Sequence, residues 1–211
     1  MNHIVLLGDS VFDNAAYVAG GPDVVEQLRK TLPGGWKATL KAVDGSVIGN
    51  VIGQLGQSPA DATHLVVSVG GNDALGHAGL LGETARSVAA VLTQLADAGA
   101  SFEREYEAML EAILRRSLPT ALCSIYYPRF PDPHLQRLAV TALTVFNDAI
   151  LRAAFARGLP LLDLRLICDE ERDYANPIEP STRGGEKIAQ AITRLVCEHD
   201  FARRRTEAYV M

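Results

Sequence analysis

The sequence predicts an α/β protein whose parallel sheet is covered by helices on both faces. Short apolar runs rich in β-branched residues alternate with longer helical patterns along the chain, and this alternation is typical of βαβ units. The runs are apolar at successive positions, as expected for strands buried on both faces. No internal repeat and no long Pro/Gly-rich linker divides the 211 residues, so we expect one domain over residues 1–211.

Five strands and six helices are predicted in order. The strands cover residues 3–7, 37–43, 65–69, 121–126 and 160–164, and the first is closed by Gly8. The helices cover residues 22–32, 47–55, 83–98, 102–117, 134–157 and 182–199. Pro22 suits the first turn of the first helix. Gly99 is interpreted as a break between the third and fourth helices, and Gly158 as the end of the fifth.

Composition limits the possible partners and cofactors. The net charge of −5 provides no basic field for nucleic acid, and the basic run at residues 203–205 is interpreted as a solvated tail. Three cysteines, Cys123, Cys168 and Cys197, lack CxxC spacing and favour free thiols in a reducing compartment. No metal-ligand spacing or phosphate-binding motif implies a cofactor. Neither a secretory signal nor a membrane span of ~20 apolar residues is recognised, so we expect a cytoplasmic location.

Small and polar residues follow three of the predicted strands, at residues 8–10, 44–46 and 70–73. Ligands of parallel α/β sheets bind beyond the carboxyl ends of the strands. Ser10, on a tight turn after the first strand, is a candidate nucleophile, although serine is also a preferred helix N-cap. Asn72 follows two glycines and suits either an oxyanion hole or a glycine-rich turn.

Taken together, Gly8-Asp9-Ser10 with Asp13, then Gly45, then the Gly-Gly-Asn-Asp block at residues 70–73 resemble the GDSL/SGNH hydrolase superfamily over most of the chain. The resemblance implies a flavodoxin-like three-layer α/β/α fold with about five parallel strands. It also implies hydrolysis of a small-molecule ester or thioester through an acyl-serine intermediate. By position, Ser10 resembles the nucleophile. The backbone N–H groups of Ser10 and Gly45 and the side chain of Asn72 resemble the oxyanion hole.

The last block departs from the family pattern Asp-x-x-His. Residues 180–185 and the Ile-Ala pair at 188–189 fix the alignment, which places Asn176 at the Asp position and Glu179 at the His position. A carboxylate base is weaker than imidazole by about 2 pKa units in solution, but burial can raise its pKa. A carboxylate needs a hydrogen-bond donor where histidine needs an acceptor, and the Asn176 amide offers one. The sequence therefore predicts that Glu179 is the base, oriented by Asn176, with an acid limb of activity below that of histidine.

Two alternatives remain open. A histidine from elsewhere could serve as base, and His77, four residues after Asp73, is placed best for this. His3, His64, His134 and His199 suit structural or solvated roles better. Otherwise the protein is a catalytically silent relative that binds a small molecule or a partner, and Glu179 could then anchor a cation.

The remaining polar and aromatic residues near these blocks receive weaker predictions. Asp163, Arg165, Asp169 and Asp173 are interpreted as a solvated charged loop. Three aromatic residues could line an acyl pocket, although core or surface packing is the commoner role; they are Tyr126, Tyr127 and Phe130. No feature of the sequence indicates an oligomeric state.

Overall fold

A computed structural model describes residues 1–210 and contains a six-stranded parallel sheet between two helical layers. The strand order is β2-β1-β3-β4-β5-β8, and its first five strands follow the flavodoxin-like order. The strands are β1 (Asn2–Gly8), β2 (Trp36–Leu40), β3 (His64–Ser68), β4 (Thr120–Cys123), β5 (Leu161–Leu162) and β8 (Ala208–Tyr209). A separate antiparallel pair joins β6 (Tyr174–Asn176) to β7 (Glu179–Pro180). The predicted α/β class and parallel sheet are confirmed.

Seven α-helices are present within the described residues. They are α1 (Val24–Thr31), α2 (Val51–Gly56), α3 (Gly71–Gly76), α4 (Val88–Leu114), α5 (Pro133–Arg157), α6 (Leu164–Ile167) and α7 (Thr182–Glu198). Short 3-10 turns cover Ala15–Tyr17, Ile48–Asn50, Ala78–Gly82 and Glu171–Asp173. Asp23 and Ser181 cap α1 and α7 by accepting backbone N–H groups, as their residue types favour.

The sheet separates two apolar cores, because successive side chains of a strand point to opposite faces. Ile4 and Leu6 pack with helices α1 and α7 on one face. Val5 and Leu7 pack with α2, α4 and α5 on the other. The uninterrupted apolar run of β1 is explained by this burial on both sides.

One predicted helix break was wrong, and one strand was missed. Helix α4 is continuous through Gly99, where a Cβ atom would collide with Val145 of α5; this glycine allows close helix packing instead of ending a helix. The basic run at residues 203–205 is exposed, as predicted, but beyond it Ala208 and Tyr209 form a sixth strand beside β5 that was not predicted. A strand of two residues carries too little periodicity to be recognised in the sequence.

Helix α5 is the one helix among residues 1–210 that is long and apolar enough, by length and composition alone, to cross a membrane. No membrane span was expected from the sequence. Its residues Ala149, Ile150 and Ala153 are buried in the core against the sheet. A core helix passes the same test of length and composition, so α5 is weak evidence for a membrane span.

Candidate active site

The turn after β1 places Ser10 at the carboxyl edge of the sheet. Gly8 has φ = +130°, and a Cβ atom there would overlap the Ser68 carbonyl group of β3, so only glycine fits. Asp9 N–H then donates to Ser68 O at 3.1 Å, and the chain turns back through bonds from Phe12 N–H and Asp13 N–H to Asp9 O. Among the described residues no backbone N–H donates to the Ser10 hydroxyl, so Ser10 caps no helix; the hydroxyl donates to a side chain instead.

That side chain is Glu179. Ser10 Oγ donates to Glu179 Oε1 at 3.1 Å, although 169 positions separate the two residues. Both residues are buried, with 7% and 6% of their surface exposed. Glu179 Oε2 is buried and has no hydrogen-bond partner within residues 1–210. Burial raises the pKa of Glu179 to about 7; the Ser10 hydrogen bond opposes this shift, and the negative charge of Asp44 adds to it.

The β6–β7 hairpin holds Glu179 through its backbone. Tyr126 Oη donates to Ile178 O at 2.5 Å, Arg129 N–H donates to Pro177 O at 2.7 Å, and Asn14 Nδ2 donates to Pro180 O at 3.1 Å. These three contacts come from the loop after β4 and from the Ser10 turn. The backbone around Glu179 is therefore fixed to both sides of the site, and Ser10 is the one side chain of the described residues that bonds its carboxylate.

The predicted orientation of Glu179 by Asn176 is wrong. Asn176 is exposed, and its Oδ1 atom accepts the Ile178 N–H at 3.0 Å. Asn176 and Glu179 pair through their backbones at the two ends of a two-residue turn. The amide side chain closes this turn, so it does not donate to the carboxylate.

Asn72 lies in the first turn of α3, beside Ser10. Its Nδ2 atom donates to Ser46 O at 2.9 Å, which occupies one of its two N–H bonds and fixes the orientation of the other. Asn72, Ser10 and Glu179 line one pocket. Gly45, with φ = +76°, is exposed in the turn just before Ser46 and does not line this pocket as formed by the described residues.

His77 reaches the same pocket but makes no hydrogen bond to Ser10 among the described residues. Its ring stacks on Phe146 with centroids 5.8 Å apart. Three of the other histidines have partners away from the site: His3 bonds Asp61, His64 bonds Thr63 and His199 bonds Glu207. His134 lies in the first turn of α5.

Asp9 is a second buried carboxyl group at the site, and the sequence analysis gave it no role. It is 3% exposed, lines the pocket, and accepts Val11 N–H at 3.2 Å. Burial raises its pKa to about 8, against the Val11 hydrogen bond, and the charge of Glu179 raises it further. Asp9 is the middle residue of the Gly8-Asp9-Ser10 motif and was therefore visible in the sequence, but its burial could not be predicted from the sequence alone.

A mostly apolar pocket of about 240 Å³ opens from Ser10 between α3, α4 and α5. Its apolar walls include Leu75, Leu80, Leu81, Leu95, Ile125, Phe130, Ala142, Leu143 and Phe146. Tyr126 and Phe130 are among the lining residues, as one interpretation of the sequence held, and Tyr127 is not. The polar groups concentrate at the Ser10 end, so the pocket combines a reactive end with an apolar body.

The predicted solvated loop after β5 is partly wrong. Asp163 is buried and accepts Ser124 Oγ at 2.8 Å and Arg165 Nη2 at 2.6 Å. Asp173 is fully buried and pairs with Lys187 Nζ at 2.7 Å. The first set of contacts lies at the start of α6, and the second joins the turn at Glu171–Asp173 to α7. Within residues 1–210 no group of three or more His, Cys, Asp or Glu side chains is placed to hold a metal ion.

A three-layer α/β/α fold with Ser10, Asn72 and a buried carboxylate around an apolar pocket is the architecture of a hydrolase. The sequence agrees: a family model for the GDSL-like lipase/acylhydrolase family matches residues 6–186, and the chain belongs to this family. No curated protein sequence matches the chain.

Solved structures share the fold at low sequence identity. The lipase Lip_vut3 from a goat rumen metagenome is 19% identical with a TM-score of 0.69, over 90% of this chain and 95% of its own. A lipase/acylhydrolase from Enterococcus faecalis is 18% identical with a TM-score of 0.66, over 93% and 95%. An extracellular lipase from Streptomyces rimosus is 17% identical with a TM-score of 0.64, over 90% and 97%.

Proposed function

We propose that the protein is a serine esterase or acylhydrolase in which Ser10 is the nucleophile and Glu179 the general base. The observation that carries this proposal is the 3.1 Å hydrogen bond from Ser10 Oγ to Glu179 Oε1. A nucleophile and its base must lie within about 2.6–3.2 Å of each other. No other titratable side chain among the described residues is hydrogen-bonded to Ser10.

Burial supplies the basicity that the residue type lacks. The Glu179 pKa of about 7 is close to the ~6.5 of an ordinary histidine. General bases work best when their pKa is near the operating pH. A glutamate in this environment therefore replaces imidazole without a large loss of proton affinity.

The reaction follows from these positions. Ser10 Oγ attacks the ester carbonyl carbon while its proton moves to Glu179, and the carbonyl π electrons move to the oxygen. The Ser10 N–H group and the Asn72 amide stabilise this oxyanion; Gly45, the third donor that the sequence suggested, is not among the described residues that line the pocket. The intermediate collapses to acyl-serine as the alcohol or thiol leaves with the proton from Glu179. Water then attacks the acyl carbon while its proton moves to Glu179. The new intermediate collapses with cleavage of the bond to Ser10 Oγ, which takes the proton from Glu179 as the acid is released.

With a glutamate base, the first step creates no pair of opposite charges at the site. The negative charge moves from the Glu179 carboxylate to the oxyanion, whereas a histidine base creates an opposite charge beside it. Without an adjacent imidazolium cation, the oxyanion depends more strongly on its hydrogen-bond donors. Removal of the Asn72 amide should therefore lower the rate more in this protein than in an enzyme with a histidine base.

The apolar pocket favours the acyl side of a small-molecule ester or thioester. Its walls are hydrocarbon, so each buried methylene contributes about 0.8 kcal/mol. The two carboxyl groups of Asp9 and Glu179 disfavour an anionic group at the reactive end.

The free thiols of Cys123, Cys168 and Cys197 support the proposed cytoplasmic location.

A second candidate is a silent binding protein for an apolar cation. The unpartnered, buried Glu179 Oε2 favours it, because an ammonium group on an alkyl chain would satisfy this oxygen while the chain fills the apolar pocket. In that case Ser10 serves only to hold the carboxylate.

An activated-serine probe separates these candidates. We expect a fluorophosphonate to label wild type, to fail with Ser10→Ala, and to label Glu179→Gln at least 100-fold more slowly. Glu186→Gln, on the exposed face of α7, is the matched control and should label normally. Undiminished labelling of Glu179→Gln would exclude the glutamate base. No labelling of wild type, with micromolar binding of dodecylamine by calorimetry, would establish the binding protein.

A further inference from the structure

Gln54 is a buried polar residue of α2 that lies outside the apolar pocket and contacts two loops of the site. We propose that Gln54 is a positioning residue for catalysis. Its amide fixes the Ser10 turn relative to residues 44–46, called here the oxyanion loop because Ser46 O accepts the Asn72 amide. The inference rests on the proposed esterase function. It adds a residue that neither the family blocks nor the sequence analysis identified.

The amide binds both polar groups of one peptide residue. Gly8 N–H donates to Gln54 Oε1 at 2.8 Å, and Gln54 Nε2 donates to Gly8 O at 2.8 Å. Strand β2 ends at Leu40, which pairs with Leu6, so β1 extends two residues beyond it. At Gly8 the Gln54 side chain takes the place of a strand neighbour for the N–H group, and it shares the carbonyl oxygen with Val43 N–H, which donates to it at 3.1 Å. Only an amide carries the donor and the acceptor in this spacing.

The second contact reaches the oxyanion loop. Gln54 Nε2 also donates to Ser46 Oγ at 3.1 Å, and the carbonyl oxygen of Ser46 accepts the Asn72 amide at 2.9 Å. Ser46 directly follows Gly45. Through Gln54 and Ser46, hydrogen bonds therefore connect the turn that holds the nucleophile with Asn72, the side-chain donor of the oxyanion hole.

This linkage bears on the rate because the oxyanion donors must meet an atom that exists only during the reaction. A misplacement of about 1 Å can cost about 100-fold in rate. Loss of the Gln54 amide would remove the direct link between Gly8 and Ser46 and leave only the weaker constraint of Val43 N–H on Gly8 O at that strand end, so Ser10 N–H and the Asn72 amide would converge less closely. Substrate binding should change little, because Gln54 does not line the apolar pocket.

The test is a double-mutant cycle on kinetic constants for an ester such as p-nitrophenyl octanoate. We expect Gln54→Met, which preserves side-chain length, to lower kcat by about 10- to 100-fold and to change KM by less than about 2-fold. The matched control is Gln57→Met, at the exposed end of the same helix, which should keep both constants. The assays are run well below the melting temperature of each variant, so that unfolding does not lower the measured kcat.

The cycle with Asn72→Ala distinguishes positioning from a general structural role. In wild type, Asn72→Ala should lower kcat by about 10²–10³-fold. In the Gln54→Met background it should cost less than about 10-fold, since the donor is already misplaced and coupled sites are not additive. Additive effects, or an unchanged kcat in Gln54→Met, would overturn the inference alone. Wild type without esterase activity would overturn the proposed function and this inference with it.

Discussion

Asn176 and Glu179 pair through their backbones across a two-residue turn, but their side chains lie in different environments. The Glu179 carboxylate is buried against Ser10, whereas the Asn176 amide is exposed and closes the turn by accepting Ile178 N–H. The pKa of Glu179 is therefore raised by burial and is not set by an orienting partner. Substitutions at the two positions should have very different effects.

Asn176→Ala should leave catalysis almost intact. Its amide accepts one backbone hydrogen bond at an exposed turn, so we expect kcat/KM within about 2-fold of wild type and a loss of about 0.5–1.5 kcal/mol in unfolding free energy. Steady-state kinetics and urea unfolding measure the two quantities. A 100-fold loss of kcat with unchanged stability would restore the orienting role that the sequence predicted.

The pH dependence of kcat/KM should report Glu179. The base must be ionised, and its pKa is raised to about 7, so activity should be present above pH 7 and fall as pH decreases through that value. The sequence predicted a lower acid limb, because it carries no information on burial. His77→Ala should keep the acid limb in place. An acid limb that disappears in His77→Ala would assign the base to His77.

The parts of the site that could be predicted are those whose interacting residues lie close together in the sequence. The β1–turn–Ser10 block is local: an apolar run and a glycine determine it, so its position was recognisable. Glu179 was identified only as the occupant of a family position. Its basicity depends on burial by segments far away in the sequence, and the role of Gln54 depends on where β2 ends. Neither leaves a periodic or local signal.

Stability should decrease as pH rises through neutrality. Asp9 and Glu179 have folded-state pKa values raised to about 8 and about 7, above their ordinary values near 4. Between pH 5 and pH 8 the native state therefore binds more protons than the unfolded state. Each group that is protonated only in the native state contributes a decrease of about 1.4 kcal/mol per pH unit.

Urea unfolding at several pH values measures this decrease. Asp9→Asn keeps the shape of the side chain and removes its titration, so its slope between pH 5 and pH 8 should be shallower than that of wild type. Asp148→Asn, at an exposed position of α5, is the matched control and should keep the wild-type slope. Equal slopes in wild type and Asp9→Asn would show that Asp9 is ionised throughout this range.

Narrowing the apolar pocket should shift the preference among acyl chains. Ala142 on α5 lines the pocket, and Ala142→Phe would fill space that a long chain occupies while leaving the Ser10 end open. Excluding about two methylenes costs about 1.6 kcal/mol, so the ratio of kcat/KM for octanoyl over acetyl esters should fall by about 15-fold. Ala156→Phe, exposed near the end of the same helix, should leave this ratio unchanged. If Ala142→Phe lowers kcat/KM equally for the octanoyl and the acetyl ester, the acyl chain lies outside this pocket.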